Sequence, residues 1–194
     1  DTVTQDRFYT IRDKAPYARL SQAVYNGITP ILDGDLIDIT ANPAGSTVAP
    51  IHPGWKFILP NQPGHDGEKV LAEATTVNNV LLFTTFQPLS PSSGADPCYP
   101  ANINRVYALF ADSGKPALDF NDDGVLDNND VSDDLNQDGI VGEVTVALIR
   151  QANQDPALPP GSPPTVCVAG VEVLKKCVSA GGTIRTFWQR DDSN

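Results

Sequence analysis

Methionine is absent from the 194-residue chain, so Asp1 is not a translation start and the chain is expected to be a processed product or a fragment. Histidine and cysteine are scarce, with 2 and 3 residues, and no Cys-x-x-Cys pair occurs, so a zinc site is not expected. His52 stands beside Pro53 and His65 lies in a Gly/Asp-rich turn; both read as loop residues. No apolar run reaches the roughly 20 residues of a membrane-spanning helix, so the chain is not expected to cross a membrane in that way. The sequence contains no Gly-x-Ser-x-Gly elbow, no His-Glu-x-x-His and no phosphate-binding Gly-rich loop, and no catalytic centre is expected. Basic residues are few, 13 against 24 acidic ones, which argues against nucleic acid as a partner because phosphate contacts need basic clusters.

Glycine (15) and proline (17) are plentiful and cut the chain into short segments that favour strands and loops. Residues 6–13 (DRFYTIRD) alternate and are rich in strand formers. Residues 36–40, 54–59, 104–110, 166–174 and 183–188 read as further strands, and Trp55 and Trp188 as packing residues. The runs 69–77 and 79–86 flank Asn78–Asn79, a pair that tolerates positive φ and predicts a tight hairpin. Residues 142–151 are ambiguous between strand and short helix, and the proline-rich stretch 155–165 reads as a surface loop. Cys167 and Cys177 are placed to bridge a hairpin in an exported protein, leaving Cys98 free or paired elsewhere; the alternative is three small buried residues.

The run Asp6-Arg7-Phe8-Tyr9-Thr10-Ile11 is echoed 98 residues later by Asn104-Arg105-Val106-Tyr107-Ala108-Leu109. Propeller blades repeat at about 40–50 residues, so this offset equals about two blades. The whole chain would make roughly four, the lower limit for a propeller. The expected fold is therefore all-β: residues 1–194 as one domain or fragment of a larger, modified β-propeller. Its open sheet edges invite strand pairing with another chain.

The net charge of −11 is concentrated between residues 111 and 143, where ten acidic residues face one lysine, Lys115. A cation is the natural partner. Within this stretch, residues 119–130 place oxygen donors at alternate positions: Asp119, Asn121, Asp123, the Val125 carbonyl, Asp127 and Asp130. Calcium takes six to eight hard oxygens at about 2.3–2.6 Å, and Gly124 permits the sharp turn such a loop needs. The last position is Asp rather than the bidentate Glu of an EF-hand, and Pro116 upstream disfavours a flanking helix, so a structural staple is expected rather than a sensor. A second, incomplete copy follows, with Asp134, Asn136, Asp138, Ile140 by its carbonyl and Glu143 as candidate ligands of another Ca2+; the alternative is that its acidic residues cap turns.

Several stretches together resemble the C-terminal propeller of the PilY/PilC family of type IV pilus biogenesis factors and tip-associated adhesins. They are Gly54-Trp55-x-x-x-Leu59-Pro60, Gly67-Glu68-Lys69-Val70-Leu71, Phe83-Thr84-Thr85-Phe86-x-Pro88, Asp96-Pro97-Cys98, Val106-Tyr107-Ala108-Leu109 and the Asp119-to-Asp127 loop. The resemblance spans about residues 50–130, with looser matches at Phe8-Tyr9-x-Ile11-Arg12-Asp13 and Arg185-Thr186-Phe187-Trp188. It implies a calcium site at Asp119, Asn121, Asp123, Val125 and Asp127 that tunes pilus extension against retraction. It also implies an extracellular location, at the pilus tip or outer-membrane surface, and minor pilins or pilus tip proteins as partners. Two other classes compete. Tandem D-x-N-x-D-G loops occur in dockerin-like scaffold-docking modules, which need a helix after each loop. Quinoprotein dehydrogenases share the propeller pattern, but their site needs cationic and aromatic groups around the ion.

Overall fold

In a computed structural model, the described residues are 5–13, 19–89, 102–135 and 139–144, together with the backbone of 145–149, 165–169 and 177–179. The expectations for Cys98, residues 155–164 of the proline-rich stretch, residues 183–188 and Trp188 fall outside them, while Thr165 opens a strand. The chain divides into two compact units, Asp1–Val144 and Thr145–Asn194.

The first unit holds two sheets. The smaller is formed by β1 (Arg7–Ile11), β2 (Ile37–Asp38) and β3 (Gly54–Ile58) in the order β1-β3-β2, with β1 antiparallel and β2 parallel to β3. Gly54 is required at its place, because a Cβ there would lie 1.9 Å from the Thr10 carbonyl oxygen. The larger sheet is fully antiparallel: β4 (Lys69–Val70) and β5 (Thr75–Val77) share one edge of β6 (Val80–Pro88), followed by β7 (Asn102–Phe110) and β8 (Ser132–Leu135). The hairpin expected at Asn78–Asn79 is present, with φ of 49° and 67° at the two residues and Val77 paired to Val80. Positive φ at both turn positions matches the right-handed twist of the strands they join. The only described α-helix, α1 (Gln22–Asn26), has five residues and buries none of them. The fold is all-β, and the described strands close no barrel or propeller.

Strand alternation sorts the two faces of the larger sheet. Leu81, Phe83 and Thr85 on β6 lie opposite Leu109, Tyr107 and Arg105 on β7 and face the smaller sheet. There Trp55, Phe57 and Leu59 meet Leu81, Phe83, Tyr107 and Leu109 in one buried cluster, each large side chain contributing about 1.5–3 kcal/mol. Phe8, Phe83 and Tyr107 stack in series, with centroids 4.1 Å and 4.8 Å apart. The Trp55 indole N–H donates to the Ala111 carbonyl at 3.0 Å, so Trp55 is the packing residue its sequence context predicts.

On the opposite face, residues 139–144 form a strap laid across the strands. Asn104 Nδ2 donates to the Gly139 carbonyl at 2.8 Å, Thr84 Oγ1 to Gly142 at 2.9 Å and Thr75 Oγ1 to Val144 at 3.2 Å. Val141 and Val144 are buried beneath it.

In the second unit, β9 (Thr145–Ile149), β10 (Thr165–Ala169) and β11 (Cys177–Ser179) form an antiparallel sheet in the order β11-β10-β9. The ambiguous run 142–151 is thus a strand over Thr145–Ile149, and the β10–β11 register sets Cys167 opposite Cys177.

Candidate metal centre

The acidic segment begins where β7 ends and is anchored on both sides. The Arg12 guanidinium donates to the carbonyls of Val48, Ala49, His52 and Asp112, tying the end of β1 to the start of the segment. Further on, Asn128 Oδ1 accepts from the Ala44 amide at 2.9 Å and its Nδ2 donates to Asn42 at 2.8 Å. The segment is built into the first unit: Ala117, Leu118, Phe120 and Val131 are buried, and Ser132–Leu135 is the fourth row of the larger sheet.

Within the 119–130 loop the side chains engage the backbone in a consistent pattern. Asp119 Oδ2 accepts from the Gly124 amide at 2.8 Å, Asn121 Oδ1 from Asp123 at 3.0 Å and Asp123 Oδ1 from Val125 at 2.8 Å. Asp122 and Gly124 adopt left-handed φ of 60° and 83°, which curls the chain and brings Asn121 Nδ2 within 3.0 Å of Asp123 Oδ2. Asp127 caps the 3-10 turn Asn128–Asp130, accepting from the Asn129 amide at 2.7 Å.

Asp130 has a different job from the other expected ligands. It is completely buried, and its two oxygens accept from the amides of Phe120 (2.8 Å), Asn121 (3.4 Å) and Asp127 (3.0 Å). It closes the base of the loop by satisfying amides that would otherwise be stranded.

The chemistry of Asp119, Asn121, Asp123, Asp127 and the Val125 carbonyl fits calcium: every donor is a hard oxygen, and an oxygen that accepts one amide proton retains a second lone pair. Among the described residues, no three His, Cys, Asp or Glu side chains form a preassembled metal-holding group. Of the second set, Asp134 lies in β8, Ile140 and Glu143 are exposed, and Asn136 and Asp138 fall outside the described residues. His52 accepts the Ala49 amide in a turn, and His65 lies in a turn closed by its amide on the Gln62 carbonyl and pairs with Leu89 in an isolated bridge.

The chain matches no protein-family model, no curated protein and no solved structure.

Two carboxylate clusters were missed by sequence reasoning. Glu68, fully buried, accepts from Arg105 Nη1 at 2.7 Å, from Tyr107 Oη at 2.9 Å and from Thr85 Oγ1. Arg105 also reaches Gln87 Oε1 at 3.4 Å and, through Nε, Asp134 Oδ1 at 2.8 Å. Burial pushes the Tyr107 phenol well above its ordinary pKa, and the Glu68 charge and hydrogen bond add to the shift. Burial works to lower the Arg105 pKa, but Glu68 and Asp134 outweigh it and hold the guanidinium charged. On the outer face of the smaller sheet, Asp33 accepts from Arg7 Nη1 and Tyr9 Oη, both at 3.0 Å, and from Lys56 Nζ. The signal that points to both clusters is the Arg-x-Tyr spacing of the internal echo, which sets the two side chains on one face of a strand.

Proposed function

We propose that this chain is a non-catalytic, calcium-binding β module of the PilY/PilC type, acting outside the cell in type IV pilus biogenesis or function. One observation carries the reading: the 119–130 loop sets oxygen side chains at alternate positions around a left-handed turn and closes its base with buried Asp130. Calcium neutralises the carboxylates of this loop and stiffens the connection between β7 and β8. The two sheets of the first unit, packed face to face, are read as adjacent elements of a modified propeller. Their open edges are offered to minor pilins or other pilus tip proteins for strand pairing.

The dockerin-like alternative needs a helix after each loop. Residues 128–130 form a single 3-10 turn that leads into β8, and 145–149 form a strand, which weighs against it.

Calorimetric titration of the metal-stripped chain with calcium tests the reading. Binding is expected in the parent and absent in Asp123→Ala. At a hundredfold excess of calcium over the dissociation constant the unfolding midpoint rises by about 5–10 °C. A parent chain that takes up no calcium ends the proposal.

A further inference from the structure

We infer that Asp134 is the outer member of an ion-pair chain, Glu68–Arg105–Asp134, and not a calcium ligand. Only the count of one ion for residues 111–143 rests on the calcium reading of the first loop.

The two stretches have the same spacing but opposite wiring. In the first, Gly124 turns its amide back onto Asp119, the residue that opens the pattern, so the loop closes on itself. In the second, Gly139 has a matching left-handed φ of 82°, yet its amide donates to Asn102 Oδ1 at 3.0 Å and its carbonyl accepts from Asn104 Nδ2 at 2.8 Å. Both of its main-chain groups are turned to β7, where they start the strap.

The opening residue is diverted as well. Asp134 sits in β8 in register with Arg105 of β7, and its carboxylate accepts from Arg105 Nε at 2.8 Å. The same guanidinium holds buried Glu68, so it spans from the interior to an aspartate whose side chain is 67% exposed. A divalent ion on Asp134 would sit against a fixed positive charge, which disfavours it. By contrast, the donors described on Asn121, Asp123 and Asp127 are neutral amides. Asp134 thus serves to neutralise the outer side of Arg105 and to pin β8 to β7.

The test compares the full parent chain with Asp134→Asn and Asp123→Ala, using thermal unfolding with and without calcium, and calorimetric titration with calcium chloride. Asp134→Asn is expected to lower the metal-free midpoint by about 2–4 °C. It should leave unchanged both the calcium-induced rise and a stoichiometry of one ion, which Asp123→Ala removes. The inference is overturned if Asp134→Asn removes a bound ion or diminishes the calcium-induced rise. It is equally overturned if the metal-free midpoint of Asp134→Asn does not move. A parent chain without any calcium uptake defeats the first-loop reading instead, and the metal-free midpoint alone then decides the role of Asp134.

Discussion

Strands β1 and β7 each present an arginine and a tyrosine two residues apart, and each pair grips one carboxylate. Arg7 and Tyr9 hold Asp33; Arg105 and Tyr107 hold Glu68. The contacts are of similar length, but the surroundings differ. The Arg7–Asp33 pair is nearly half exposed on both sides, at 43% and 45%, whereas Arg105 and Glu68 stand at 8% and 0%. Water screens the first pair and makes it replaceable. The second lies between two packed sheets, where every lone pair and proton needs a protein partner, and Thr85, Gln87 and Asp134 supply them. One local pattern thus yields a surface tether in one place and an obligatory internal network in the other, and burial alone makes the difference.

The strongest way to sharpen the contrast is Glu68→Gln. It keeps the shape but removes the carboxylate that faces the buried side of Arg105, leaving only Asp134 on its outer side, and removal of one partner from a buried pair costs about 3–5 kcal/mol. Urea unfolding should register that loss; a change no larger than that of a surface substitution would erase the distinction between the two clusters.

An intermediate effect is expected at alkaline pH. The Tyr107 phenol is raised by burial first and by Glu68 second, so its contribution to stability is complete below the ordinary phenol value of about 10 and is lost as pH climbs through the folded value. Ultraviolet titration should show a tyrosine step that appears only as the protein unfolds, and Tyr107→Phe should remove that step. Tyr107 ionising in the folded protein near the ordinary phenol value would contradict its placement.

The smallest effect belongs to Asp33. Hydrogen bonds from Lys56 and then Tyr9 hold its carboxyl below the ordinary value. Its contribution is therefore present above the unfolded carboxylate pKa and vanishes as pH falls through the lower, folded one. Carboxyl titration by NMR should show the depression at low salt and its decrease at high salt, while Asp33→Asn leaves the neutral-pH midpoint within experimental scatter. A clear fall in that midpoint would place the surface cluster in the same class as the buried one.

The strands were legible because alternation of side chains is a local signal: DRFYTIRD and NRVYALF each write their two faces into consecutive residues. The hairpin was legible because Asn78 and Asn79 tolerate the φ it needs. The clusters were not, since Asp33 lies 26 residues from Arg7 and Glu68 lies 37 from Arg105, and no local rule names a partner at that distance. Glu68, set between glycine and lysine, has the neighbours of a surface residue; only the packing of two sheets makes it an interior one. In the candidate centre the alternating oxygens were legible, but the role of Asp130 was not. Its commitment to three amides depends on how the base of the loop folds. Residues 19–35 followed no readable pattern, and they are exposed throughout, including Leu20, Val24, Tyr25, Ile28 and Leu32.

The strap has a mechanical consequence. Its hold on Gly139, Gly142 and Val144 comes from side chains of Asn102, Asn104, Thr84 and Thr75, so no ladder bond of the sheet runs through these contacts. Tension applied at residue 145 would meet them in chain order: Thr75 first, then Thr84, then Asn102 and Asn104. A pull from the C-terminal side is absorbed as a stepwise peel that leaves the pairing of β5, β6 and β7 intact.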